Sequence, residues 1–168
     1  MANEHILAAI KAGMKGEIDS TTVYETAAIT ATRENAPEVR DFFAERAEEE
    51  KKHYNWLLAY YKEIAAGGQP GADFALGSAP VTSPIISQDF LRRVGESRQL
   101  SAALSTAILL EATAVKHYLN CAEEAVQAPL RSFYETLSAW EDRHYHDLIS
   151  IQEESERYFW DANNWQPF

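Results

Sequence analysis

The sequence contains a single cysteine, Cys121, so no disulfide can form within the chain. Zinc or iron sites of the CxxC type need cysteines in pairs or fours, and a single thiol excludes them. There is no apolar run of about eighteen residues, and the first residues lack the basic and apolar segments of a secretory signal. These absences predict a soluble protein in a reducing, cytoplasmic setting.

Basic residues are also scarce, with 15 Lys and Arg against 26 Asp and Glu and a formal net charge of -11. An acidic surface repels DNA, RNA and anionic lipid, so neither nucleic acid nor a membrane is an expected partner. A chain of 168 residues can bury a sizeable core without disulfides. We therefore predict one domain over residues 1–168.

Four long segments have apolar residues at the spacing of an amphipathic helix. The predicted helices span about residues 4–34, 36–66, 97–126 and 129–157. Between the first two, Asn35 is the predicted N-cap of the second helix, followed by Pro37 in its first turn and by Glu38 at a capping-box position. Gly67 and Gly68 follow the second helix and fit a C-terminal cap.

A connection over residues 67–96 separates the two helical hairpins and is far longer than antiparallel neighbours require. It is rich in Gly, Pro, Ser and Ala, with a short helix expected from about Ser87 to Gly95. We interpret it as a crossover along the bundle. Two hairpins joined by one long crossover predict an all-α, ferritin-like four-helix bundle.

The two hairpins carry the same pattern: a glutamate with a tyrosine seven residues later, then Glu-x-x-His on the next helix. Its members are Glu17, Tyr24, Glu50 and His53 in the first hairpin and Glu111, Tyr118, Glu141 and His144 in the second. Residues three apart on a helix lie about 60° apart around its axis, so each Glu-x-x-His can direct both side chains to one point. Two such pairs in register predict a metal site.

All four glutamates lie on the apolar stripes of their helices and should point inward. Burying four carboxylates together is very unfavourable without positive charge, and only Arg46 and Lys116 are basic near these stripes. Two divalent cations would balance four carboxylates with neutral histidines. Mixed carboxylate and imidazole ligands suit iron or manganese, with zinc as a possible substitute. We predict two metal ions, most simply iron.

This pattern resembles the ferritin-like superfamily, and within it the erythrin domain of rubrerythrins, over residues 4–157. The resemblance implies that Glu17 and Glu111 are terminal carboxylates and that Glu50 and Glu141 bridge the two metals. By the same resemblance, His53 and His144 each bind one metal. It also implies that Tyr24 and Tyr118 donate to metal ligands, although both could simply be core aromatics. A tyrosine seven residues after a glutamate lies about 10 Å along the helix, so each would bond a ligand on a neighbouring helix.

The sequence departs from its relatives at several points. Rubrerythrins carry a cysteine-rich rubredoxin domain and a further glutamate three residues after the third-helix ligand, whereas this sequence has neither and shows Ala114 at that position. Haem is not expected, because the methionines are Met1 and Met14 and neither matches the haem ligand of bacterioferritins. A storage cage is not expected either, because only residues 158–168 follow the bundle.

Other polar residues near the pattern are open to two interpretations. Asp147, one turn past His144, either orients that imidazole or is an exposed helix acid, and Glu49 is ambiguous in the same way. The remaining histidines, His5, His117 and His146, lie off the metal stripe and are predicted at the surface. The aromatic tail over residues 158–168 should pack on the bundle or on a partner subunit, which favours a homodimer.

The predicted site suits more than one function. The leading hypothesis is an oxidoreductase that reduces peroxide or dioxygen and is re-reduced by an external electron donor. An iron-handling protein that oxidises ferrous iron without a cage is the alternative, as is a bundle whose metal only stabilises the fold. An oxygen-activating hydroxylase is a minor possibility, because a fold does not determine a function.

Overall fold

The computed structural model describes residues 2–68 and 86–163. The described chain forms five helices and no strands, which confirms the predicted all-α class. The helices are α1 (Ala2–Arg33), α2 (Pro37–Ala65), α3 (Gln88–Glu96), α4 (Arg98–Glu124) and α5 (Ala128–Ala162). Helices α1 and α2 form one antiparallel hairpin, α4 and α5 form the other, and α1 packs against α4. The four long helices thus make the predicted bundle.

Much of the predicted crossover, residues 69–85, lies outside the described residues. Its last part is α3, which packs mainly against α5 and also contacts α4 and α2. Serine side chains cap the N-termini of α3 and α4. Ser87 accepts a hydrogen bond from the Phe90 amide at 3.1 Å, and Ser97 accepts one from the Leu100 amide at 3.2 Å.

The turn between α1 and α2 differs from the predicted one. Asn35 has a φ of 54°, and its amide donates to Thr32 while the Ala36 amide donates to Ala31. This pair of bonds is a Schellman motif, which places Asn35 at the end of α1 instead of the start of α2. Ala36 is the N-cap of α2 and makes no side-chain cap. The prediction of an Asn35 N-cap is wrong, because asparagine also tolerates the left-handed backbone that ends a helix.

Helix α2 ends as its glycines predict. Gly67 has a φ of 81°, and the amides of Gly67 and Gly68 donate to Ile64 and Glu63 at 3.1 and 3.0 Å. Helix α5 runs to Ala162, five residues beyond the predicted end, so the start of the aromatic tail is helical. Tyr158 packs on the core there, while residues 164–168 lie outside the described ranges.

Two separate hydrophobic cores fill the bundle. The first contains Tyr24, Phe43, Leu104 and Leu148, and the second contains Ile10, Leu57, Tyr118 and Leu137. On each long helix the predicted metal ligands lie between the residues of the first core and those of the second. The polar ligands therefore form a layer across the middle of the bundle. None of the described helices is long and apolar enough to cross a membrane.

The backbone of Asn35 can be tested by substitution. We expect Asn35→Ala to lower the free energy of unfolding by about 1 kcal/mol, because an alanine side chain is strained at positive φ. The melting temperature should fall by about 2–4 °C for a chain of this size. Asn35→Gly is the control and should be nearly neutral. Equal losses in both variants would contradict the role of Asn35 at the end of α1.

Candidate metal centre

The six predicted metal ligands lie together between the two hydrophobic cores. Helices α1 and α4 each contribute one glutamate, and α2 and α5 each contribute a Glu-x-x-His pair. All six side chains are buried, and none is more than 6% exposed: Glu17, Glu50, His53, Glu111, Glu141 and His144. The structure therefore brings all six predicted ligands to one site.

The six residues form two overlapping groups. Glu17, His53 and the pair Glu50 and Glu141 form one group, in which the potential ligand atoms all lie within 4.8 Å of one another. Glu111 and His144 form the second group with the same pair, Glu50 and Glu141, within the same distance. Two carboxylates are thus shared between two positions, which is the arrangement that bridging ligands require.

Both histidines present Nδ1 to the carboxylates. His53 Nδ1 lies 2.8 Å from Glu141 Oε1, 3.4 Å from Glu50 Oε2 and 3.6 Å from Glu17 Oε2. His144 Nδ1 lies 3.1 Å from Glu50 Oε1, 3.7 Å from Glu141 Oε2 and 4.0 Å from Glu111 Oε2. The two imidazoles also stack on one another, with ring centroids 5.7 Å apart.

Many of these close atoms have no hydrogen-bond partner of suitable geometry. They are both carboxylate oxygens of Glu50 and of Glu141, Oε2 of Glu111, and Nδ1 of His53 and His144. Native proteins rarely bury so many polar atoms without satisfying them. Two bound cations, one in each ligand group, would satisfy all of them, so the cluster fits a two-metal site. Its carboxylate and imidazole donors suit iron, manganese or zinc.

The four carboxylates fall into two classes by the direction of their pKa shifts. Burial and the charge of Glu141 raise the pKa of Glu17 well above its usual value. Burial and the charge of Glu50 do the same to the pKa of Glu111. Burial also opposes ionisation of Glu50 and Glu141, but the nearby histidines outweigh it, so the pKa of each lies below its usual value.

The histidines show the matching shift. Burial opposes their charged forms, yet the surrounding carboxylates raise the pKa of His53 and of His144 well above the usual value. Without a metal, these directions favour the protonated forms of Glu17, Glu111 and both histidines. Metal ligands must lose their protons, so metal loading should release protons from this cluster.

The tyrosines connect the ligands across the bundle. Tyr24 on α1 donates its hydroxyl to Glu111 Oε1 on α4, and Tyr118 on α4 donates to Glu17 Oε1 on α1. Each tyrosine is almost completely buried. The hydrogen bonds run between helices, as the 10 Å spacing along one helix requires, and they fix the orientation of both carboxylates.

Gly13 was not singled out by the sequence pattern, although it makes room for one of these tyrosines. A Cβ at residue 13 would lie 3.0 Å from Cε1 and 3.1 Å from the hydroxyl oxygen of Tyr118. Both distances are shorter than nearly all real Cβ contacts. The small residue therefore lets the Tyr118 ring reach Glu17, a relation that no local sequence motif reveals.

A charged network lies beside His144. Glu49 Oε2 is 3.2 Å from His144 Nε2, and Arg46 donates to Glu49 at 2.9 Å and to Asp147 at 2.8 Å. Asp147 is therefore neither the partner of His144 nor an exposed acid, because Arg46 binds its carboxylate and only 11% of its side chain is exposed. Glu49 is the residue close to His144.

The remaining histidines lie away from the centre. His5 is exposed and pairs with Glu124, and His146 is exposed and contacts the Asp142 carbonyl. His117 is not at the open surface as predicted, because it is half-buried and its Nε2 lies 3.0 Å from the Ala9 carbonyl. Burial lowers the pKa of His117. The reason is that α4 packs against α1 at this position.

The pKa directions predict how stability depends on pH without metal. From about pH 6 to about pH 8, the folded chain should hold more protons than the unfolded chain, because the pKa values of both histidines, Glu17 and Glu111 are raised. Stability should therefore fall as pH rises through this range. Urea unfolding in the presence of a chelator measures this trend, and a flat profile would contradict it.

The acid side should show the opposite slope. The pKa values of Glu50 and Glu141 are lowered, so their stabilising charge is lost as pH falls below the usual glutamate value of 4.5. Stability without metal should thus be greatest at mildly acidic pH. Metal loading should remove the loss toward higher pH, because cations then take the place of the protons.

Comparison with known proteins agrees with this geometry. The family model described as Rubrerythrin matches residues 9–152, a range that contains all six clustered ligands and both tyrosines. No curated protein matches the sequence, and no solved structure does. The family match extends over most of the chain. The chain therefore belongs to the Rubrerythrin family.

Proposed function

We propose that the protein is a di-iron oxidoreductase that reduces peroxide or dioxygen. The observation that carries this proposal is the pair of buried ligand groups that share Glu50 and Glu141. In this arrangement Glu50 and Glu141 would serve both metals, while Glu17 and Glu111 would each serve one. His53 and His144 would each offer Nδ1 to one metal. The chemistry that a bound ferrous pair supplies is the two-electron reduction of an oxidant, with uptake of protons.

The protein's own residues hold the ligands in place during that reaction. Tyr24 and Tyr118 stay protonated and donate hydrogen bonds to Glu111 and Glu17, so these carboxylates cannot rotate freely. The hydrophobic cores above and below the polar layer exclude bulk water, which strengthens electrostatic interactions inside it. The site is thus rigid and shielded.

Two further parts of the proposal concern partners. An external electron donor would re-reduce the site, because a chain with Cys121 as its single thiol offers no thiolate iron centre of its own. A homodimer is supported by exposed apolar side chains on α4, where Leu109 is 69% and Leu119 is 48% exposed. A reducing, cytoplasmic setting suits both a free thiol and ferrous iron.

Metal content and oxidation kinetics test the proposal together. After anaerobic loading with ferrous iron, elemental analysis should give two ions per chain, and peroxide or dioxygen should then oxidise the iron pair in a stopped-flow experiment. Glu141→Ala should lose at least one ion, because it removes a ligand common to both positions. Glu45→Ala changes an exposed residue of α2 and is the control.

Each other outcome favours a different function. Many turnovers with excess ferrous iron, and none with peroxide and a reductant, would replace the proposal with iron handling. Full stability with zinc and no redox reaction with iron would indicate a structural metal. One ion or none in the loaded wild-type chain would contradict the two-metal site itself.

Ala114 yields a separate prediction. It lies three residues after Glu111 on α4, about 60° around the helix, and packs beside the second core. Other rubrerythrins offer an exchangeable glutamate there and this chain does not, so we expect His53 and His144 to stay bound in both oxidation states. Ala114→Glu should therefore accelerate oxidation by peroxide.

The neighbouring variant Thr113→Glu is the matched control, because Thr113 is exposed and its side chain points away from the cluster layer. Stopped-flow oxidation of the ferrous proteins by peroxide compares the three chains. If the wild type reacts as fast as Ala114→Glu, the missing carboxylate does not limit peroxide reduction.

A further inference from the structure

The duplicated metal ligands have unequal surroundings. Glu49 directly precedes Glu50 and approaches His144, whereas Trp140 directly precedes Glu141 and approaches His53. The residues three positions after the two histidines are also unlike, with Trp56 after His53 and Asp147 after His144. The same positions in the two hairpins thus place charged groups on one histidine and indole rings on the other.

On the His144 side the charges form a connected chain. Arg46 binds both Glu49 and Asp147, and only 10% of its side chain is exposed. This double contact holds the Glu49 carboxylate next to His144 Nε2. A carboxylate there accepts a hydrogen bond from Nε2–H. In the neutral imidazole the lone pair is then on Nδ1, which faces Glu50 and Glu111.

On the His53 side the neighbours are aromatic. The His53 ring lies 5.2 Å from Trp140 and 5.5 Å from Trp56, measured between ring centroids, and the two indoles contact one another edge to face at 4.8 Å. Within the described ranges, every carboxylate contact of His53 is made through Nδ1. These tilted ring contacts limit the movement of the imidazole, but indole rings offer its Nε2 no anionic acceptor.

We propose that the two metal positions bind ions with unequal affinity, and that Glu49 is the positioning residue that makes the His144 position the tighter one. The inference rests on the proposed two-metal site and adds an order of loading to it. An anionic acceptor at one nitrogen makes the opposite nitrogen of a neutral imidazole a better donor and fixes the tautomer that binds the metal. Loss of such a partner typically weakens metal binding by about 10- to 100-fold.

Titration of the metal-free chain with Co²⁺, followed by absorption and calorimetry, measures both steps without any redox reaction. We expect two unequal steps in the wild type. Glu49→Gln should weaken the tighter step by about 10- to 100-fold and leave the weaker step nearly unchanged. Glu49→Asp keeps the charge and should recover part of the loss. Trp140→Phe keeps an aromatic ring beside His53. It should weaken each step less than Glu49→Gln weakens the tighter step.

Glu48→Gln is the matched control, because Glu48 is the exposed neighbour of Glu49 and pairs with Lys51. Anomalous scattering from crystals grown with one equivalent of Co²⁺ identifies the first position. The ion should lie between Glu111 and His144, not between Glu17 and His53.

The outcomes separate this inference from the proposed function. Two equal steps, a first ion beside His53, or equal weakening of both steps by Glu49→Gln would overturn the inference while the two-metal site stands. Binding of fewer than two ions by the wild-type chain would overturn both. A glutamine variant indistinguishable from the wild type would show that Glu49 does not position His144.

Discussion

Four carboxylates buried at one level of a helical bundle impose the constraint on which the rest of the structure depends. Neither hydrophobic core can extend through this layer, so one core lies on each side of it. Charge must be balanced within the layer, and both protons and divalent cations can do so. Arg46, the buried arginine of α2, binds Glu49 and Asp147 and is not available for this purpose. Protons and divalent cations are therefore alternative ways of balancing the charge of this layer.

The cross-helix tyrosines show how the constraint reaches into the cores. The ring of Tyr24 belongs to the first core and that of Tyr118 to the second, while both hydroxyls donate to ligands on the opposite helix. Packing of each core thus sets the position of a carboxylate in the polar layer. Stability and ligand geometry are coupled, because a side chain that fixes a ligand also fills a core.

Sequence periodicity predicted the fold and the six residues that cluster between the cores, because both depend on spacing along single helices. A Glu-x-x-His pair on an apolar stripe must point inward whatever its neighbours are. Two features that periodicity did not predict depend on contacts between helices. They are the space that Gly13 leaves for Tyr118 and the pairing of Arg46 with Asp147. Asn35 was misassigned for another reason, because asparagine suits both the start and the end of a helix.

The contrast between shared and unshared groups explains why a duplicated site can have equal ligands and unequal surroundings. Glu50 and Glu141 each belong to both ligand groups, so a change at either alters both metal positions. Glu49 and Trp140 each approach a single histidine, so either can change with its effect confined to one position. Flanking residues can therefore differ between the hairpins without changing the carboxylates that both groups share.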